Sequence, residues 1–235
     1  MSEDQEQIKA AVEAKGITRL CHFTQARKLP HILTNLGGLW SVQYLTENAP
    51  DLLDYVDRNR FDGRLNHICC SIEYPNTWYL DRVRYQDPLF RDWVILFLSR
   101  TLIWKEGSLF SRRNAAAMSG ALIAPGYRSF MELYTPAVTG SGGRVWRRTE
   151  SMLPACPTDG QAEVLVESHI PLTLIEGIAV ANESAATTEL KRLSFIPGVP
   201  EIRWIVAPSL FDGSWSPMVK QGRRPQETVY LEPEV

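Results

Sequence analysis

The sequence predicts a single α+β domain, and three observations carry that expectation. Short apolar runs of strand length are mixed with helix-forming segments, without the regular β-helix-β alternation of a doubly wound sheet. No internal repeat, low-complexity tract or composition break marks a boundary. A chain of 235 residues with 44% hydrophobic side chains can bury one substantial core. Residues from about 212 onward, rich in Pro, Gly, Arg and Gln, are expected to form a loosely attached tail.

Taken in order, residues 4–15 are good helix formers with Ile8, Ala11 and Val12 on one side and Gly16 as the stop. Residues 17–24 read as a strand that places Leu20 and His22 on one face and Arg19, Cys21 and Phe23 on the other. A short helix is expected over 26–36, begun around Pro30 and closed by Gly37 and Gly38. Residues 51–60 predict another helix, punctuated by Arg58 and Arg60 and followed by a turn at Phe61-Asp62-Gly63 and by Arg64. Residues 67–74 and 93–98 predict buried strands, the first ended by Pro75-Asn76. The Ala-rich stretch 114–122 predicts a helix, 128–133 a shorter one, and 140–148 a flexible basic loop with Arg144, Arg147 and Arg148. An apolar segment at 172–180, an amphipathic helix at 185–195 and a strand at 202–206 complete the pattern.

Residues 161–166 form the stretch around which the rest is arranged. As a strand, Gln161-Ala162-Glu163-Val164-Leu165-Val166 sets Ala162, Val164 and Val166 on one face and Gln161, Glu163 and Leu165 on the other. The turn-rich approach at 154–160 ends where the strand begins, so a carboxylate there can face a cleft. Taken alone, a glutamate in such a place is most often only the wet face of a half-buried strand.

Composition excludes several classes. A net charge of -2 argues against a protein held on nucleic acid by bulk charge, though a local basic groove would leave the total almost unchanged. Cys21, Cys69, Cys70 and Cys156 include no CxxC and read as reduced thiols. His22, His31, His67 and His169 lack ligand spacing, so no metal is expected. The N-terminus is rich in Ser, Glu, Asp and Gln rather than basic and then apolar, and no apolar run approaches the ~20 residues that span a bilayer, so a cytoplasmic protein without membrane contact is expected. Phosphate loops, GxGxxG after a strand, HExxH and GxSxG are all absent.

Three separated pieces remain: His22-Phe23-Thr24, then Leu29-Pro30-His31-Ile32-Leu33 with Gly37-Gly38-Leu39, then Gln161-Ala162-Glu163-Val164-Leu165-Val166 with Leu174-Ile175-Glu176. In order and spacing they resemble the DarT family of nucleic-acid ADP-ribosyltransferase toxins, over about residues 17–206. The resemblance implies an ADP-ribosyltransferase core of two small packed β-sheets with peripheral helices, and NAD held in the cleft between the sheets as co-substrate. By its match to the family glutamate, Glu163 would be catalytic. It would hydrogen-bond a ribose hydroxyl and face the positive charge that develops as the nicotinamide bond breaks.

The resemblance also implies that His22, Phe23 and Thr24 contact NAD, that Gly38 and Leu39 supply backbone closing over it, and that Ser71 and Tyr74 complete the pocket, Tyr74 by stacking. Gln161 would read the target base, and Arg147, in the basic loop beside Arg144, Arg148 and Trp146, would steer the strand. The family's functional arginine falls among Arg58, Arg60 and Arg64, of which Arg60 is favoured; a guanidinium holds its proton so tightly that it suits charge stabilisation better than proton acceptance. Implied partners are single-stranded DNA, with RNA open as the alternative polymer, and a macrodomain antitoxin. Ser71 to Asn76 departs from thymidine-modifying members and looks more like those acting on guanine, so both bases stay open. A catalytically silent NAD-binding or nucleic-acid-binding module is the remaining alternative.

Overall fold

The structure, a computed structural model, describes residues 1–53, 60–86 and 90–232. Nine strands hydrogen-bond in the order β13-β12-β11-β4-β1-β3-β9-β5-β6. The central ones are β1 (Arg19–Gln25), β3 (His67–Ile72), β4 (Trp93–Ser99), β9 (Glu163–Glu167) and β11 (Ile175–Val180). On the outside lie β5 (Leu109–Ser111), β6 (Ile123–Pro125), β12 (Trp204–Val206) and β13 (Thr228–Val229). Two small ladders stand apart: β2 (Gly38–Trp40) with β10 (His169–Pro171), and β7 (Ala137–Thr139) with β8 (Val145–Arg147).

Pairing is uneven, and this shapes the molecule. Strand β1 runs in register with β4 along its whole length, from Arg19↔Ser99 to Gln25↔Trp93. Against β3 it pairs only at Leu20↔Ile72 and Cys21↔Ser71. Beyond Cys21 the two strands part, and the His22 imidazole enters the gap, where Nδ1 donates to the Cys69 carbonyl at 2.9 Å. The sheet is therefore two halves joined by a short seam. One half is β13-β12-β11-β4-β1, the other β3-β9-β5-β6, and the two packed sheets expected for this fold are these halves.

Both faces are covered. Along β4, Val94, Leu96 and Leu98 enter the main core, while Ile95 and Phe97 enter a second one on the opposite face. That double burial is why the strand reads as an unbroken apolar run. The main core is closed by α1 (Glu3–Ala14) through Ile8 and Val12 and by Leu193 of a C-terminal helix, residues Glu183–Ser194. Helix α1 begins on a capping box: Ser2 Oγ accepts from Gln5 N–H, and the Gln5 side chain accepts from Ser2 N–H at 2.6 Å.

Several expectations are corrected. The stretch 114–122 is turns and a 3₁₀ segment, with Met118 and Ser119 at φ of 52° and 54°; its first residues bond across to Glu163, and Asn114 also accepts from Ala116 and Ala117 N–H in a local turn. The basic loop at 140–148 is the tip and second strand of the β7–β8 hairpin. After Asn76, where no element was expected, comes a helix, Thr77–Arg84, whose first turn is capped by the Asn76 side chain accepting from Tyr79 N–H at 3.1 Å. Most of the helix expected at 51–60, including Arg58, lies outside the described residues.

The segment from about 212, expected as a loosely attached tail, contacts the domain at several points. Trp215 is buried and stacks on Tyr74 with ring centroids 5.2 Å apart. The Glu227 carboxylate takes both arms of the Arg19 guanidinium, and Arg224 Nη1 donates to Glu73 Oε2 at 3.1 Å. Tyr230 N–H then donates to the Trp204 carbonyl at 2.9 Å, next to the β12–β13 ladder. Without this segment the fully buried Glu73 keeps its Thr18 N–H and hydroxyl donors but loses Arg224, and the largely buried Arg19 guanidinium loses the Glu227 carboxylate. A chain ending at Gln221 is expected to lose about 3 kcal/mol or more of unfolding free energy in urea. An unchanged midpoint would mean that the C-terminal segment is as loosely held as its composition suggests.

Candidate active site

The gap between β1 and β3 opens into a cavity of about 740 Å³, within the ~300–1,000 Å³ of small-ligand sites. His22, Phe23 and Thr24 line one wall; Cys69, Ser71, Gln161 and Glu163 line the other. Phe23 is fixed from behind by Tyr79 and Trp93, with ring centroids 6.0 and 5.9 Å away.

Glu163 is placed by register. As the first residue of β9 it stands opposite Ser71 on β3 and Ser111 on β5, so small hydroxyl side chains flank the carboxylate on both sides. Ala162, Val164 and Val166 face the main core, and Leu165 joins a small cluster with Ala115 and Ile123. The turn before the strand is held by Asp159, whose Oδ1 accepts from Gln161 N–H at 2.9 Å. The Glu163 carboxylate is itself tied down: Asn114 Nδ2 donates to Oε1 at 3.1 Å and Ala115 N–H to Oε2 at 2.8 Å. Burial pushes its pKa up to about 7; the Ala115 N–H works against this, Asp62 adds to it and Arg60 opposes it.

Arg60 is clamped. Its Nε donates to both Asp62 oxygens at 3.1 and 3.0 Å and its Nη2 to Oδ2 at 2.7 Å. Further bonds run from Nη1 to the His67 carbonyl at 2.9 Å and from Nη2 to the Arg64 carbonyl at 3.0 Å. Desolvation works against the guanidinium charge, but Cys69, Asp62 and Glu163 outweigh it and hold the group protonated. Burial likewise works against the Asp62 carboxylate, and the Arg60 bond overcomes it, keeping that acid ionised.

The remaining expected site residues separate into two groups. Ser71 is on the wall, with Oγ accepting from Asn76 N–H at 3.2 Å. Tyr74 is not: it lies in the second core against Trp215, because the chain turns away at Glu73, which has a φ of 64°. Gly38 and Leu39 also fall outside the wall. Gly38, at a φ of 135°, packs so closely on β10 that a Cβ would sit 2.1 Å from the Ile170 carbonyl oxygen, and Leu39 is in the main core. Their neighbour Trp40 reaches the cleft instead, sandwiched between Tyr44 and His169 at centroid distances of 3.9 and 3.8 Å.

Arg147 is exposed on β8 and away from the wall, and Arg148 is spent on backbone carbonyls, including Cys156 at 2.7 Å. Arg144 and Trp146 of the same hairpin do line the cleft. Arg64 is exposed and off the wall, and Arg58 lies outside the described residues. Asn114 and Asp62 were not anticipated as site residues; both are turn formers, and that turn-forming chemistry was the available signal. No group of three or more His, Cys, Asp or Glu suited to a metal occurs among the described residues.

A buried carboxylate held between its neutral and ionised forms, with a fixed guanidinium on the same side of a cleft that splits a sheet, is an enzyme's site. A family profile described as "ssDNA thymidine ADP-ribosyltransferase, DarT" matches residues 21–211. With that match, the site is that of an NAD-dependent ADP-ribosyltransferase. The chain belongs to the DarT family. The fold is similar to that of Thermus sp. 2.9 DarT in complex with NAD+, with a TM-score of 0.56 and 18% identity over 83% of this chain and 97% of that one. The same Thermus protein in complex with ADP-ribosylated ssDNA aligns with a TM-score of 0.54 at 17% identity, with the same coverage. Thermosipho africanus DarTG in complex with ADP-ribose aligns at 0.51 and 15% identity, over 83% of this chain and 51% of that one. No curated protein matches.

The raised pKa of Glu163 has a consequence for stability. A carboxyl that titrates near 7 when folded and near 4.5 when unfolded binds more protons in the native state between those values, so stability falls as pH rises through that window. The penalty is absent below the lower value and complete above the upper one, amounting to about 3 kcal/mol. In Glu163→Gln it is removed. The stability of that variant relative to the parent, followed by thermal melting, is expected to grow from pH 5 to pH 8; a constant difference would contradict the assignment.

Proposed function

We propose that this chain transfers the ADP-ribosyl group of NAD to thymine in single-stranded DNA, with Glu163 as its catalytic carboxylate. The observation that carries the reading is the Glu163 carboxyl itself, buried under the cleft and poised near neutrality, with the Arg60 guanidinium close enough to favour its ionised form. NAD supplies the ADP-ribosyl group and nicotinamide as the leaving group. The cleft suits the dianionic pyrophosphate of NAD, since its acidic wall residues Asp62, Asp159 and Glu163 are all buried while Lys28, Arg82, Arg113 and Arg144 stand around it.

In this reading ionised Glu163 accepts a hydrogen bond from a ribose hydroxyl and faces the positive charge that grows at the anomeric carbon. Asn114 and the Ala115 N–H hold the carboxylate in place for that task. His22, Thr24 and Ser71 grip the sugar and amide from the two walls. Gln161, at the entrance beside Glu163, presents an amide that both donates and accepts to a base edge. Thymine in DNA carries one ring N–H; its proton leaves to solvent, and the nitrogen lone pair forms the bond to the anomeric carbon as the bond to nicotinamide breaks. Arg60, fixed and fully charged, stabilises the base anion before that bond forms and does not act as the base.

Thymine is preferred over guanine for a structural reason as well as from the family description. The lean toward guanine rested on the segment from Ser71 to Asn76, yet Glu73 and Tyr74 within it are committed to Arg224 and Trp215. Their identity answers to the C-terminal segment they hold. A protein with this activity damages its own host, so we also propose a macrodomain antitoxin that removes the mark, and a cytoplasmic site of action where NAD and replicating DNA coexist. No helix among the described residues is long and apolar enough to cross a membrane.

The test is intact-mass measurement of short oligonucleotides, DNA and RNA, each limited to a few bases, after incubation with NAD. A gain of one ADP-ribose on thymine-containing DNA, reduced about 10²- to 10³-fold or more in Glu163→Gln, is expected. Gain on guanine alone or on RNA alone would move the substrate assignment, and NAD cleavage without any mass gain would remove the nucleic-acid half of it. Because the ionised carboxylate is the working form, kcat/KM is expected to rise about tenfold per pH unit up to about pH 7 and then level. A flat profile between pH 5 and 8 would count against Glu163.

A further inference from the structure

We infer that the outer face of the helix Thr77–Arg84 is the platform for the DNA strand beyond the target base, with Trp78 stacking a flanking base and Arg82 holding the adjoining phosphate. This rests on the reading of single-stranded DNA as substrate and adds where the strand runs. Helix geometry sets the pair: Thr77, Leu80 and Val83 are buried on the inner side, while Trp78 and Arg82, one turn apart, share the outer side at the cleft mouth. The turn advances about 6 Å, comparable to one nucleotide step of an extended strand.

Trp78 is 58% exposed, although a helix that needed it only for packing would bury it. Exposed tryptophan beside arginine is the chemistry that binds single-stranded nucleic acid without reading sequence, because every base has a π-face and every nucleotide a phosphate. A second pair of the same kind lines the same cleft, where the Arg144 guanidinium lies 4.0 Å from the centroid of the Trp146 ring. Gln161 and Glu163 line that cleft as well. Every acid on the wall is buried and the exposed charges at the mouth, Arg82 and Arg144, are cationic, so a polyanion meets a complementary rim on a protein whose net charge is -2.

Binding of a fluorescently labelled thymine-containing 12-mer, followed by anisotropy across a salt series, tests this directly, with NAD affinity measured separately in the absence of DNA. Trp78→Ala is expected to weaken oligonucleotide binding roughly 5- to 100-fold, with partial recovery in Trp78→Phe, because Phe keeps a smaller stacking face. Arg82→Ala is expected to lower the slope of log affinity against log salt by about 0.7, the value for one lost phosphate contact on a single strand. The inference is overturned if both variants bind the strand as the parent does, or if the loss falls on NAD affinity instead, which would make the pair part of the NAD site. The outcome is separable from the proposed reaction. A parent chain that binds the 12-mer but adds no mass to it refutes the transfer and leaves the platform standing; one that modifies DNA while Trp78→Ala is unaffected does the reverse.

Discussion

The early separation of β1 from β3 is the constraint on which the site depends. Two pairs, at Leu20 and Cys21, hold the halves of the sheet together, and one residue later the imidazole of His22 bonds the Cys69 carbonyl where a backbone ladder would otherwise continue. A fully zipped β1–β3 pair would fill the gap with backbone hydrogen bonds and leave nowhere for a ligand. Strand β1 can afford to part from β3 because β4 pairs it along its entire length, from Arg19 to Gln25. One strand thus has a saturated edge and a deliberately open one, and the cleft follows from that asymmetry.

Electrostatics inside the cleft are set by a single loop acting on both charged partners. Residues 114 and 115 bond the Glu163 carboxylate, while Gly120, at a φ of 82°, packs so tightly on the Asp62 backbone that a Cβ would lie 2.4 Å from its carbonyl oxygen. Asp62 in turn holds Arg60. Acid and guanidinium are therefore referenced to the same piece of chain, so that their relative position does not depend on either side chain's own rotamer freedom. Removal from water raises the cost of the Glu163 charge, and the same low dielectric makes that charge more effective toward a developing cation.

Some of this was legible beforehand, for reasons that differ by residue. Alternation alone separated Gln161 and Glu163 from Ala162, Val164 and Val166, since strand period is a local property. His22 could be placed near the end of a strand in the same way. Tyr74 was misplaced because the positive φ at Glu73 reverses the direction of the chain, and nothing in the local pattern announces a buried glutamate in that conformation. Gly38 and Leu39 were assigned to the cleft by resemblance, and their close approach to β10 shows that packing governs them. Asn114 was hidden inside an Ala-rich stretch whose helix propensity lost to two hydrogen bonds with a distant carboxylate.

What the sequence determined by itself is the set of elements and faces: apolar alternation marks the strands, their order signals a mixed α+β chain, and the spacing of three short pieces points to the family. Tertiary structure decided which polar groups share the cleft. Arg60 meets Glu163 across more than a hundred residues of chain, Asn114 reaches the same carboxylate from another strand's end, and the C-terminal segment is held by Arg19 and Glu73. The physical reason is range. Strand period and helix capping act over a few residues and leave a local imprint, whereas a buried charge is set by whatever long-range packing brings to it, and that information resides in no single stretch of sequence.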